Sequence, residues 1–389
     1  MDSNTSTKQA PAIGIMPQEL EIADPVLDSM LPVFKKAAKR LESLASKGCF
    51  FHIRYHNDGD GICSALCMQQ ALESAGGQVF SKPSIGATYL DSDAIEDSRL
   101  LASKSPAAAL FLDFATNGES VSAISGLKQS APNADIFSID HHPPSPGLGA
   151  HCSMAINQHS VGADVNYSAG ILCSRIASLM PGSSGSRDFF KFLGALSLAC
   201  DKSTLAPKSE GFERLAFALD FSATTQRARF GLQSALRLVS DAEEFATAWA
   251  FAQERFSEIE PYYEFAVSMR KVKSIEFYSM NLDYLRKKAR SLPPSRIVDF
   301  FFSRKIAQSP QTPIAVAGVS DRLVTFRANS PAVRLGFRAD RGVEEIKNSI
   351  PQGFVGGGGH ASAASARIGA GFGQSAGELA IKAAFALVE

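Results

Sequence analysis

Apolar residues recur at helical spacing over residues 25–47, where Val26, Leu27, Met30, Leu31, Phe34, Ala38, Leu41 and Leu44 line one face and Gly48 stops the run. The pattern then changes. Residues 49–55 are apolar and rich in strand formers, 64–75 read as a helix closed by Gly76-Gly77, and the alternation continues with strands over 79–85, 108–114 and 136–139 and helices over 91–103 and 118–129. Strands that are apolar almost throughout, alternating with helices, predict an α/β domain whose parallel sheet is covered on both faces.

Residues 166–200 read as two further helices, carrying Ile171, Leu172, Ile176 and Leu179, then Phe189, Phe192, Leu193 and Leu196. From about 211 to 290 the spacing stays helical with no clear strand, which predicts a connector of several helices, broken by Pro293-Pro294. A second mixed unit follows. It has strands over 313–319, 323–328 and 333–337, a helix over 343–349, a glycine loop at 356–359, a strand near 364–368 and a last helix from about Ser375. No tandem repeat of fixed period occurs. The expected division is a disordered tail over 1–20, a first domain over 21–210, a helical connector over 211–295 and a smaller α/β domain over 296–389.

Composition narrows the class. With 45% hydrophobic and 20% charged residues and a net charge of zero, the 389-residue chain resembles an ordinary globular protein of two or three domains. No apolar run approaches the roughly 20 residues of a membrane span, and the first eighteen residues lack a basic-then-apolar signal pattern, so the expectation is a cytoplasmic protein. Six cysteines without zinc-like pairs are expected to be reduced core thiols.

Candidate chemistry sits in three clusters, which hold four of the seven histidines: His56-Asn57-Asp58-Gly59-Asp60-Gly61, Asp140-His141-His142 and Gly356-Gly357-Gly358-Gly359-His360. The first two follow predicted strands, and Asp113 closes the strand between them. In an open α/β sheet, functional groups gather beyond the carboxyl ends of the strands. Three neighbouring strands would therefore deliver carboxylates and imidazoles to one rim, with Asp201 at the end of the apolar helix 189–200 as a fourth carboxylate source. Such groups are costly to bury without a cation. Mixed oxygen and imidazole donors suit Mn²⁺, Fe²⁺ or Zn²⁺ better than Mg²⁺. Five or six ligands exceed the needs of one catalytic ion, whereas two ions sharing Asp113 would use them all and could steady both entering and leaving oxygens at phosphorus. Taken singly, a strand-end Asp is as readily a helix cap and a lone His a core residue; the set is what points to metal.

These motifs resemble those of the DHH phosphoesterase superfamily. His56-Asn57-Asp58-Gly59-Asp60-Gly61 fits its first motif, Asp113 in Leu110-Phe111-Leu112-Asp113 its second, Asp140-His141-His142 its third and Asp201 in Ser197-Leu198-Ala199-Cys200-Asp201 its fourth. Gly356–His360 resembles the glycine-rich signature of the DHHA1 substrate-binding domain, although Ala361 stands where proline is frequent and Ser365 where glycine is common. The resemblance implies that His56, Asp58, Asp60, Asp113, His141 and Asp201 bind two Mn²⁺-type ions, with Mg²⁺ or Co²⁺ as alternatives. It implies further that Asp140 orients a histidine and that His142 contacts the scissile phosphate or assists the leaving group. The implied architecture is a parallel-sheet DHH domain and a smaller DHHA1 domain, with the active site in the cleft between them.

Four consecutive glycines, Gly356 to Gly359, would let backbone N–H groups approach a phosphate, with His360 as an added donor. Residues 285–347 hold thirteen Lys or Arg against five Asp or Glu, and Arg327 and Arg338 resemble strand arginines that could fork to phosphate oxygens. Three functions follow. A RecJ-like exonuclease on single-stranded DNA or RNA fits the basic stretch. A phosphodiesterase for oligoribonucleotides or cyclic or linear dinucleotides fits the neutral net charge. A non-catalytic replication scaffold fits poorly with intact acidic motifs. The expected partners are single-stranded nucleic acid or a short oligonucleotide, with a replication or repair protein as a further candidate.

Overall fold

The computed structural model describes residue 20 and residues 22–84, 86–163, 166–182, 186–226, 229–289 and 292–388. Apart from Leu20, the expected disordered tail over 1–20 lies outside the described residues. The chain divides into two compact units, residues 1–250 and 251–389.

The first unit is built on five parallel strands, β1 (Phe50–His56), β2 (Gln78–Ser84), β3 (Ala107–Leu112), β4 (Asp135–Ile139) and β5 (Met154–Ile156), in the order β2-β1-β3-β4-β5. Its principal helices are α1 (Leu31–Ala45), α2 (Gly59–Ser74), α3 (Asp91–Ala102), α4 (Gly118–Ser130), α5 (Ala169–Leu179), α6 (Arg187–Cys200), α7 (Glu210–Thr225) and α8 (Leu232–Ser240). Every residue of β3 is buried, and its side chains alternate between two cores. Ala108, Leu110 and Leu112 join the core that holds α1, α2, α5, α6 and α7, while Ala107, Ala109 and Phe111 join the core under α3 and α4.

On the second of these faces β1 carries His52 and Arg54, both buried. Asp97 of α3 answers them: it accepts from Arg54 Nε at 2.9 Å and Nη2 at 2.7 Å, from Tyr89 Oη at 2.8 Å, and pairs with His52 Nε2 at 2.9 Å. A charge inside a sheet interface is tolerable only when paired this completely.

The second unit carries a six-stranded sheet in the order β10-β11-β9-β8-β7-β6. Its strands are β6 (Val267–Val272), β7 (Ile275–Asn281), β8 (Ile314–Ser320), β9 (Leu323–Ala328), β10 (Phe354–His360) and β11 (Ala363–Ile368), antiparallel except for the β7–β8 pair. Helices α9 (Pro294–Gln308), α10 (Ala339–Ser349) and α11 (Gly373–Ala384) accompany them.

Three expectations need correction here. The span 211–290 is not helical throughout, because β6 and β7 form a hairpin within it. β6 is an edge strand with no fully buried position, so it leaves no apolar alternation to read. Residues 333–337 are not a strand; Asn329 caps a short helix, Ser330–Arg334, by accepting from Ala332 N, and Pro331 sits in its first turn. The glycine run is not a loop. It lies within β10, paired with β11, where a Cβ at Gly357 would collide with Ser365 O and one at Gly359 with Ala363 O. Glycine here permits close strand contact, which its low strand propensity conceals.

Candidate metal centre

Strand register builds the rim. Tyr55 pairs with Leu112, Leu112 with Ile139 and Ile139 with Ile156, so the residues that follow them, His56, Asp113, Asp140 and Asn157, stand side by side at the carboxyl edge. Asp113 turns out of the sheet at φ +63°, a left-handed conformation that Asp adopts more readily than most residues.

The loop from β1 into α2 presents two carboxylates. Asp58 caps α2, its Oδ1 accepting from Gly61 N at 3.0 Å while Oδ2 lies 2.6 Å from His56 Nδ1. Asp60, buried within the first turn, accepts from Ala169 N at 2.8 Å and Gly170 N at 2.7 Å. Those two N–H groups begin α5 and have no partner within their own helix, so the carboxylate completes that terminus. A Cβ on Gly170 would stand 2.9 Å from Asp60 Oδ1 and 2.5 Å from Ser197 Oγ, so only glycine fits at this position.

The Asp140-His141-His142 turn separates two tasks. Asp140 Oδ1 accepts from the His142 backbone N at 2.8 Å and lies 2.8 Å from His142 Nδ1, which fixes a ring that is 48% exposed. His141 points inward, its Nε2 3.3 Å from Asp201 Oδ2, 3.4 Å from Asp113 Oδ1 and 3.8 Å from Asp60 Oδ2. The following turn steadies both: Gln158 Nε2 donates to His141 O at 2.6 Å and Asn157 Nδ2 to His142 O at 2.7 Å.

Three overlapping groups of donors result, and within each the donor atoms lie within 4.8 Å of one another: His56, Asp58 and Asp113; Asp60, His141 and Asp201; and Asp113, Asp140, His141 and His142. The first two are separate ligand sets with Asp113 facing both, whereas in the third Asp140 and His142 are already paired with each other. Asp113 spans the two, with Oδ2 3.6 Å from His56 Nδ1 and Oδ1 3.4 Å from His141 Nε2. Donors about 2.1 Å from a cation stand about 3–4 Å apart, so this spacing fits divalent ions. Buried Asp140 Oδ2 and His141 Nδ1 have no hydrogen-bond partner among the described residues.

Electrostatics agrees. Burial, together with the neighbouring Asp113 and Asp201 charges, pushes the Asp60 carboxyl well above its ordinary range, and burial with Asp113 and Asp58 does the same to Asp201. Burial works against a charged His56, but the Asp58 and Asp113 carboxylates outweigh it and raise the imidazole well above its ordinary value. Burial also opposes charge on His141, yet Asp113 and Asp60 outweigh it and carry that imidazole up to about 9. Asp140 moves the other way: burial opposes its charge, but the His142 ring beside it keeps the carboxyl below the usual range. Protons held this tightly by both carboxyls and imidazoles stand where cations would neutralise the cluster.

The second-unit candidates fall only partly where expected: Arg327 lies on β9, whereas Arg338 stands just before α10 and is not on a strand. His360 pairs with Ala363 and Ala363 with Arg327 across three strands, and Ala339 N donates to Ala361 O, so Arg327, Arg338 and His360 meet at one corner of the second sheet. Their polar groups are already engaged. Arg327 Nε lies 2.5 Å from Asp299 Oδ1, Arg338 pairs through two nitrogens with Asp340, and His360 Nδ1 lies 3.0 Å from Ser362 Oγ. Gly357, Gly358 and Gly359 lie in edge strand β10 and not in a phosphate-cradling loop.

Sequence reasoning missed the Ala169 and Gly170 amides, Asn157, Gln158 and Asp220. Asp220 accepts from Gly59 N at 3.0 Å; its only trace in the sequence is a carboxylate set between Leu219 and Phe221 on an apolar helix.

No family model matches the chain. An uncharacterized protein of Methanocaldococcus jannaschii is 27% identical over 179 residues, which is 40% of this chain and 23% of that protein's length. Among solved structures, the DHH domain of a protein assigned to a family of ribosomal proteins aligns over 98% of this chain and 96% of its own, with a TM-score of 0.82 and 18% identity. RecJ from Thermus thermophilus, solved with Mn²⁺, aligns over 89% of this chain and 54% of its own, with a TM-score of 0.56 and 15% identity. CDC45 from Entamoeba histolytica aligns over 91% of this chain and 99% of its own, with a TM-score of 0.53 and 10% identity. The chain thus has the DHH, RecJ-like fold: an α/β unit on a parallel five-stranded sheet followed by a second unit with its own sheet. No helix among the described residues is long and apolar enough to cross a membrane.

Proposed function

We propose that this chain is a two-metal phosphodiesterase, a RecJ-like exonuclease that hydrolyses single-stranded DNA or RNA to mononucleotides. The observation that carries the reading is Asp113, whose two oxygens face two separate ligand sets. His56 and Asp58 would hold one cation, Asp60, His141 and Asp201 the other, and Asp113 both. Mn²⁺ is the preferred ion, since RecJ is solved with it and the donor set mixes imidazole with carboxylate. Such cations supply Lewis-acid stabilisation of charge on oxygens at phosphorus. The protein's own part is positional. Asp140 holds the His142 ring so that its outer nitrogen faces solvent, where it can meet a phosphate oxygen or a leaving group.

A second reading, an oligoribonuclease or dinucleotide phosphodiesterase, draws support from the aspartates that already occupy Arg327 and Arg338, since a polymer needs more free positive charge than a dinucleotide does. A non-catalytic replication scaffold is disfavoured, because a cluster of four carboxylates is costly to keep without cations.

The test is hydrolysis of a length series of both-end-labelled DNA and RNA oligomers after chelation and stepwise return of Mn²⁺, titrated against salt. Mononucleotides from long substrates, with a steeper salt slope for long than for short ones, are expected of the exonuclease. Equal slopes would promote the dinucleotide reading. Full turnover in chelator, with no metal by elemental analysis, would remove both.

A further inference from the structure

The two ligand sets are joined by one residue of chain. Asp58 belongs to the first and Asp60 to the second, so Gly59 is the pivot on which their separation depends. Gly59 is the first residue of α2, and its N–H has no acceptor within that helix. It donates to Asp220 Oδ1 at 3.0 Å. The other side of the pivot is closed as well: a Cβ on Gly59 would collide with Cys200 Sγ and stand 3.3 Å from Asp220 Cβ. One turn further along the same helix, Ala223 O accepts from Asn57 Nδ2 at 2.9 Å. Helix α7 therefore grips the loop at Asn57 and Gly59, one residue on either side of Asp58.

From this geometry we propose that Asp220 is a positioning residue which, by accepting from Gly59 N, fixes the Asp58–Asp60 loop and thereby the spacing of the two cation sites. Asp220 belongs to neither ligand set. It acts through the backbone of the loop, and α7 is consequently part of the metal centre although the sequence reads it as the start of a connector. The inference rests on the two-cation reading, and its test separates the two.

Mn²⁺ titration of the full chain, followed by electron paramagnetic resonance, reads both the number of ions bound and whether they are magnetically coupled, which depends on their distance. The wild type is expected to bind two ions that give a coupled spectrum. Asp220→Ala should keep its circular dichroism, bind the pair about ten- to a hundredfold more weakly and lose the coupled signal. Asp220→Asn keeps an oxygen acceptor and should restore both. Fewer than two ions on the wild type would overturn the two-cation reading, and this inference with it. Two coupled ions in wild type and in Asp220→Ala alike would overturn this inference alone. Loss of coupling in Asp220→Asn equal to that in Asp220→Ala would also overturn it, because the carboxylate's charge and not its acceptor would then be responsible. Should Asp220→Ala fail to fold, amide exchange at Gly59 in the wild type reads the hydrogen bond directly. A protected amide is expected, and fast exchange would sink the proposal.

Discussion

Asp113→Asn tests the shared carboxylate with little disturbance to the fold. Asn is nearly isosteric and tolerates the left-handed φ of +63° at this position. In the metal-free protein it relieves repulsion with Asp60 and Asp201 but also removes the attraction to the His56 and His141 imidazoles, so these effects oppose one another and the melting temperature without metal should change little. With metal the outcome differs. Each ion present at about a hundred times its dissociation constant stabilises by about 2.7 kcal/mol, or about 5 kcal/mol for two. For a unit of the size of residues 1–250 that corresponds to a rise of about 10–20 °C. Asp113 faces both sets, so the variant should lose at least half of this rise. Its turnover should fall by about 10³-fold, the equivalent of about 4 kcal/mol of lost stabilisation. Differential scanning calorimetry in chelator and in excess Mn²⁺, with turnover measured on the same samples, checks both. A variant that keeps the whole metal-dependent rise, with turnover within about threefold of wild type, would refute the shared-ligand arrangement.

Gly170→Ala should destabilise the protein by about 1–3 kcal/mol, because its Cβ would overlap Ser197 and Asp60 in a packed site; denaturant unfolding measures this, and weaker Mn²⁺ binding should accompany it. Asp97 answers to pH. Burial opposes its charge, but His52 and Arg54 bring its carboxyl down to about 2, below the unfolded value, so its contribution is complete above about pH 5 and fades as pH falls through 2. The stability advantage of wild type over Asp97→Asn should shrink by about 2 kcal/mol between pH 6 and pH 2, and a constant difference in urea titrations would contradict the assignment. Arg338→Ala should raise KM for an oligonucleotide about fivefold with kcat unchanged, a modest effect because the side chain is 41% exposed. Asp340→Ala frees the same guanidinium and should move KM the opposite way; parallel shifts in steady-state kinetics would place the phosphate contact elsewhere.

The sequence disclosed most of what burial and strand order control. β3 is an unbroken apolar run, β1 and β4 are mostly apolar apart from residues such as His52, Arg54 and Ser138, and the motifs after them read as one rim from the sequence alone. What stayed hidden came from backbone or from a single distant atom. The amides of Ala169 and Gly170 bind Asp60 across 109 and 110 residues of chain, and amides carry no signature in a sequence. Asp220 reaches Gly59 across 161 residues as a carboxylate that belongs to no motif, between Leu219 and Phe221 on a mostly apolar stretch of helix. Edge strand β6 lacks a buried face, and in β7 the buried positions Ile275, Phe277, Tyr278 and Met280 break strict alternation, so neither shows a clear strand period; the glycine strand stayed hidden because glycine announces loops. Asp340, by contrast, lies only two residues from Arg338, so this pair of opposite charges is visible in the sequence itself.

Charge explains why metal and substrate would act together on this fold. Asp58, Asp60, Asp113 and Asp201 line one small volume, whereas Asp140 is compensated by His142. A phosphodiester cannot approach four such carboxylates in low-dielectric surroundings without severe repulsion. Two divalent cations match their formal charge, leaving a rim that accepts an anion and does not repel it. The attraction needed for an extended strand then has to come from elsewhere in the chain. Residues 251–389 hold nineteen Lys and Arg against thirteen Asp and Glu, and since the whole chain is neutral, residues 1–250 carry the matching deficit. The neutral total therefore conceals an acidic unit that carries the candidate metal centre and a basic second unit, a distribution consistent with the proposed action on a polyanion.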